Sequence, residues 1–205
     1  MRGLMFGSAV LSLAIAATAS ADVLFNNFGA GDSYNTGSGW TISDGSPINT
    51  DWDQGDAFTV SGGNYFLDSI EAAIGLVLGQ NRVFIDIYDD AGGQPGSVLE
   101  SVTIEDQMGP FGSFNAPIVG NFSGSTLLMD GMTYWAIASS DSNSWLAWNQ
   151  NDQGDIGPHA SSPDGAPWNV GPNTRGAFRI NGTLPAPGAL ALLGLAGLAG
   201  TRRRR

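Results

Sequence analysis

Apolar positions along the middle of the chain recur in short runs, and most of the runs alternate. Val83, Ile85 and Ile87 fall on one side of Arg82–Tyr88, with Phe84, Asp86 and Tyr88 on the other, the period-2 pattern of a half-buried strand. Asp56–Val60 alternates in the same way. Tyr65–Ile74 alternates less cleanly and runs on into Leu76–Leu78. Ser97–Ile104, Thr126–Met129, Met132–Ala138, Ser144–Asn149 and Gly176–Gly182 complete the set of predicted strands. The Met132–Ala138 run has Tyr134 and Trp135 at its centre, residue types that favour a pleated surface. Asp89–Gly96 reads as a turn and Asp130-Gly131 as a hairpin turn. No stretch of useful length in this region has a 3.6-residue period. Short strands with regular turn signals predict an all-β fold, a single β-sandwich of jelly-roll-like type.

The ends of the chain follow a different pattern. Arg2 precedes an apolar run, Leu4–Ala17, and then Ala19-Ser20-Ala21 and Asp22. A basic start, an apolar stretch and small residues at −3 and −1 are the layout of a secretory signal peptide. Cleavage is expected between Ala21 and Asp22. The other end runs from Leu184-Pro185-Ala186-Pro187 through a Gly, Ala and Leu stretch to Arg202, Arg203, Arg204 and Arg205. Residues 184–201 would make a helix of about 27 Å, close to the ~30 Å hydrocarbon core of a bilayer. The terminal arginines would stay cytoplasmic under the positive-inside rule. The expected organisation is a signal peptide over 1–21, a β domain over 22–184 and a transmembrane anchor tail over 185–205.

Charge agrees with this topology. The chain has 19 acidic side chains and 8 basic ones, a net charge of −11, with one His and no Cys. All the bases are Arg, and five of them lie in the two ends. Residues 22–184 therefore hold three arginines against all 19 acids, a net −16. A body of that charge is repelled by phosphate backbones, so nucleic acid is not an expected partner. Without Cys there is no disulfide framework and no thiolate chemistry. Without Lys there is no Schiff base or phosphate-loop lysine.

The tail, with its Pro-Ala-Pro motif, apolar span and Arg cluster, resembles the PEP-CTERM sorting signal of exported bacterial proteins. Ala186 stands where that family usually has Glu. The resemblance implies recognition by an exosortase in the membrane, after export by the Sec translocon and signal peptidase. It also implies a bacterium that makes exopolysaccharide. The body, from NNFGAGDSYNTGSGWTIS through TYWAIASSDSNSWLAWNQN to GAFRINGT, resembles the bacterial exported choice-of-anchor domains, most closely type R. Membership there implies surface display and no defined reaction.

Candidate chemistry is sparse. Gly31-Asp32-Ser33 matches the nucleophile motif of GDSL-type esterases, and His159 is the one available imidazole. A nucleophilic Ser needs its base within hydrogen-bond reach, while the alternative is a Gly-Asp-Ser turn. Glu71, Glu100 and Glu105 are the only glutamates, and none stands out as one of a hydrolytic carboxylate pair. Asp51, Asp53 and Asp56 place carboxylates around Gly55, and Asn149, Asn151 and Asp155 share the spacing of an EF-hand's first half. Either group is a candidate for a structural Ca²⁺. Of the six Trp, Trp135 is expected in the core, while Trp52, Trp145, Trp148 and Trp168 are candidate platforms for a sugar ring. The sequence favours a non-enzymatic envelope or matrix protein associated with exopolysaccharide or adhesion. A carbohydrate-binding module is the first alternative and a secreted esterase-like hydrolase the second.

Overall fold

Alternation along Arg82–Tyr88 is what the structure builds on. A computed structural model of the chain describes residues 21–45, 48–141 and 143–185. The described residues form fourteen strands. These are β1 (Ala21–Asn26), β2 (Gly39–Ser43), β3 (Trp52–Thr59), β4 (Tyr65–Ala72), β5 (Ile74–Leu78), β6 (Arg82–Asp90) and β7 (Pro95–Glu105). They continue with β8 (Ile118–Asn121), β9 (Leu127–Leu128), β10 (Thr133–Ser139), β11 (Trp145–Asn149), β12 (Ile156–Pro163), β13 (Asn169–Thr174) and β14 (Phe178–Thr183). The fold is all-β, with two antiparallel sheets. One sheet has the order β1-β14-β4-β8, with β9 also paired to β4. The other runs β5-β11-β2-β3-β10-β6-β7, with the β12–β13 hairpin joined to β3.

The main core is built from both sheets. Val83, Ile85 and Ile87 of β6 join Ile42, Phe58, Leu146 and Trp148 of the larger sheet and Leu67, Ile70, Phe178 and Ile180 of the smaller one. β10 is hydrogen-bonded on both sides, to β3 and β6. Its residues Tyr134–Ala138 are all buried, which explains an apolar run without alternation. The uneven pattern of β4 also has a local cause. Asn181 pairs with Ser69 but Gly182 pairs with Leu67, so Asp68 is an extra residue in the ladder. This bulge lets Leu67 and Ile70, an odd number of residues apart, both enter the core.

A smaller cluster forms separately from Ala57, Trp135, Ile137 and Ala160, with Tyr88, Trp168 and Val170 packed against it. The β12–β13 hairpin supplies part of this cover. The sequence reading places no strand between Asn149 and Gly176, where Gly157-Pro158 and Gly171-Pro172 interrupt the chain. Both prolines are accommodated at one place: Pro158 lies opposite Pro172, and β12 pairs with β3 only from His159 onward. Neither Pro is asked for an N–H in an interior ladder.

Candidate functional site

β3 is the junction of the larger sheet. It pairs with β10 over Gln54–Thr59 and with β12 over Trp52–Asp56, but it meets β2 only at Ser43↔Trp52. As β2 diverges, a cavity of about 390 Å³ opens, lined by Trp40, Thr41, Ile48, Trp52, Gln54 and Ser161. Trp40 and Trp52 are both only half-buried.

Buried polar groups hold this cavity's inner wall. Gln54 Nε2 donates to Thr41 O at 2.8 Å, tying β3 back to β2. With the amide oriented that way, Gln54 Oε1 is an acceptor, and His159 Nε2 donates to it at 3.1 Å. His159 Nδ1 lies 3.0 Å from Asp56 Oδ1, so one proton is held between imidazole and carboxylate. Asp56 Oδ2 accepts from Gly176 N at 2.8 Å. Burial pushes the Asp56 carboxyl above its usual range, opposed by the hydrogen bond and charge of His159, the Gly176 N–H and the charge of Arg175. Trp40 lies stacked on His159 and donates from Nε1 to Thr174 O at 2.8 Å. The network therefore fixes the orientation of one aromatic wall. His159 is only 2% exposed and both ring nitrogens are engaged, so its role here is positional.

The four sequence-nominated Trp separate. Trp52 lines the cavity, as the first residue of β3. Trp145 lies two strands away across Ser43 and does not line it. Trp148 corrects the expectation of a sugar platform: it is completely buried in the main core, with Nε1 donating to Ala177 O at 3.1 Å. Trp168 packs edge-on against Tyr88, with ring centroids 6.4 Å apart, over the smaller cluster. Trp135 is buried and donates to Asp90 Oδ1 at 2.8 Å. Trp40 is the partner that sequence reading missed. Gly39–Ser43 is a short strand without strong alternation, and no spacing signal connects it with Trp52.

Neither proposed calcium set is gathered around one point. Asp53 and Asp56 belong to a strand rather than a bent loop, and an odd spacing turns them to opposite faces. Asp56 is committed to His159, and Asp51 Oδ1 accepts from Gly45 N at 2.7 Å. In the second set, Asn151 Oδ1 accepts from Gln153 N and Asp155 N, and its amide donates to Asp155 O and Arg175 O. Asn149 donates to Asn35 O, while Asp155 pairs with Arg175 and accepts from Asn27. These groups brace loops. Among the described residues, no three His, Asp or Glu side chains form a group suited to a metal ion.

The esterase pair is not assembled either. Ser33 hydrogen-bonds Asp152, whose carboxyl is held below its usual range by bonds from Gln153 and Ser33, while His159 faces Asp56 and Gln54. Glu71 is paired with Arg179, Glu105 with Arg82, and Glu100 accepts from Ser123 N. Ala21 and Asp22 lie in β1, and Pro185 follows β14. Ala19, Ala186, Pro187 and Arg202–Arg205 lie outside the described residues. No protein-family model matches the chain, and no curated protein matches it.

Proposed function

We propose that this chain is a non-enzymatic, exported bacterial surface or matrix protein whose β domain holds polysaccharide in the cavity between Trp40 and Trp52. The observation that carries the binding reading is the pair of half-exposed indoles lining one cavity, with a hydrogen-bonding amide, Gln54, in its wall. Aromatic faces match the C–H faces of pyranose rings, and convergent polar groups orient the hydroxyls. Exposed Trp at a fixed angle costs little entropy on binding, since Trp40 is already held by His159 and Thr174.

The cellular part of the proposal comes from the ends of the chain. The Leu4–Ala17 run with its Ala19–Asp22 cleavage pattern supports export through the Sec translocon and processing by signal peptidase. Pro185-Ala186-Pro187, the apolar tail and Arg202–Arg205 support a membrane-held intermediate read by an exosortase. Exopolysaccharide at the cell surface is then the ligand within reach. We read the sandwich as jelly-roll-like, a reading supported by the pairing of its first and last strands, Asp22 opposite Gly182.

Two experiments test the two halves. In affinity electrophoresis, gels containing exopolysaccharide retard the parent protein, and Trp52→Ala restores free migration; equal migration of both in every gel contradicts glycan binding. Replacing Pro185-Ala186-Pro187 by three alanines blocks loss of the tail in cells that carry an exosortase; unchanged processing contradicts the sorting reading.

A further inference from the structure

We infer that the Trp40–Trp52 cavity selects uncharged polysaccharide and rejects chains bearing uronate, sulfate or phosphate. This rests on the glycan-binding reading above and names the ligand class of the same site.

Among the described residues, none that lines the cavity carries a formal charge. The nearest imidazole, His159, is sealed behind Trp40 and has its proton shared with Asp56. The sequence contains no Lys. The three arginines of the body are each spent elsewhere. Arg82 pairs with Asp141 and Glu105, Arg175 with Asp155, and Arg179 with Glu71 and Asp32. An anionic sugar entering the cavity would therefore give up hydration without gaining a cation, which is strongly unfavourable. It would also approach a body of net charge −16, with Asp51 and Asp53 flanking Trp52 in the chain.

An amine-bearing sugar is not favoured within the cavity either, because no carboxylate is among the described residues that line it. Such a chain would be drawn to the acidic surface as a whole, by an attraction that salt removes. A neutral pyranose matches what the cavity does offer. It meets two indole surfaces and the uncharged polar residues Thr41, Gln54 and Ser161 of the lining.

Calorimetric titration of the purified full chain and its Trp52→Ala variant tests this, using cellohexaose and xylohexaose as neutral probes, a galacturonate hexamer as the anionic one and a glucosamine hexamer as the cationic one. The expected result is that a neutral hexamer binds with affinity changing less than about twofold between ~0.02 and ~0.5 M NaCl. It weakens roughly tenfold in the variant, and the galacturonate hexamer binds at least about tenfold more weakly than it. Glucosamine binding that salt abolishes and Trp52→Ala leaves unchanged also supports the inference. A galacturonate or glucosamine hexamer that binds as tightly as the neutral ones, and loses affinity in the variant, overturns the selectivity and leaves glycan binding standing. Failure of every hexamer to bind overturns both.

Discussion

Trp40 lies flat against His159, with ring centroids 4.1 Å apart and planes 22° from parallel. The stack joins the only His in the sequence to a half-buried indole, and the imidazole's two hydrogen bonds fix how that indole is presented. The half-exposed wall of the cavity is thus supported by groups that are themselves buried.

Removing the anchor of this arrangement should be costly. Asp56→Ala leaves His159 Nδ1 and Gly176 N without their hydrogen-bond partner in a buried site. Breaking one side of a buried pair costs about 3–5 kcal/mol. Urea denaturation should show that loss, and near-ultraviolet circular dichroism should show a weakened tryptophan signal. A loss below about 1 kcal/mol contradicts the role given to the pair.

Gly176 marks a close approach in the same region. A Cβ there would lie 2.5 Å from Trp148 Nε1, and the residue's N–H already serves Asp56. Gly176→Ala is expected to destabilise the domain by about 1–3 kcal/mol through overpacking. Thermal denaturation checks this, with Gly171→Ala, where nothing lies near the added methyl, as the comparison.

Stability should also respond to pH through Asp53. Burial, and the like charges of Asp51, Asp86 and Asp44, raise its carboxyl from 3.8 to about 6. Between those values the folded protein keeps a proton that the unfolded chain has released. Stability from this group therefore falls as pH rises from about 4 to about 6, and the cost is complete above that window. Asp53→Asn removes the cost. Solvent screening of a partly exposed carboxylate limits the gain to about 1 kcal/mol, or a Tm higher by about 2–4 °C near pH 8. The two proteins should melt together at about pH 3.5. A variant no more stable at the higher pH contradicts the strained carboxylate.

Much of the architecture is legible wherever one sheet face is buried and the other wet. Val83, Ile85 and Ile87 specify β6 outright, and Trp135 sits in the core strand expected of it. Legibility fails where tertiary context overrides local signals. β12 and β13 carry Gly-Pro steps that read as turns, yet Pro158 and Pro172 oppose each other at a place where the ladder needs no donor from them. The site was half-visible. Trp52 stands out between Asp51 and Asp53, but Trp148, three positions from Trp145, belongs to the core because β11 turns it inward with Leu146 close by. The His159–Asp56 pair spans 103 residues, and no spacing in a sequence announces a contact of that range. Three of the four acids that suggest calcium, Asp56, Asp51 and Asp155, are committed to an imidazole, a backbone N–H and an arginine.

The central claim is that one cavity, walled by Trp40 and Trp52, receives the ligand. Indole N–H resonances report it most directly, since the chain has six Trp in distinct environments. Titrating the ¹⁵N-labelled protein with a neutral hexasaccharide, with signals assigned by single Trp→Phe variants, should move the Trp40 and Trp52 resonances and leave Trp135 and Trp148 in place. Shifts confined to Trp145 or Trp168, or no shift at any of the six, would contradict the account.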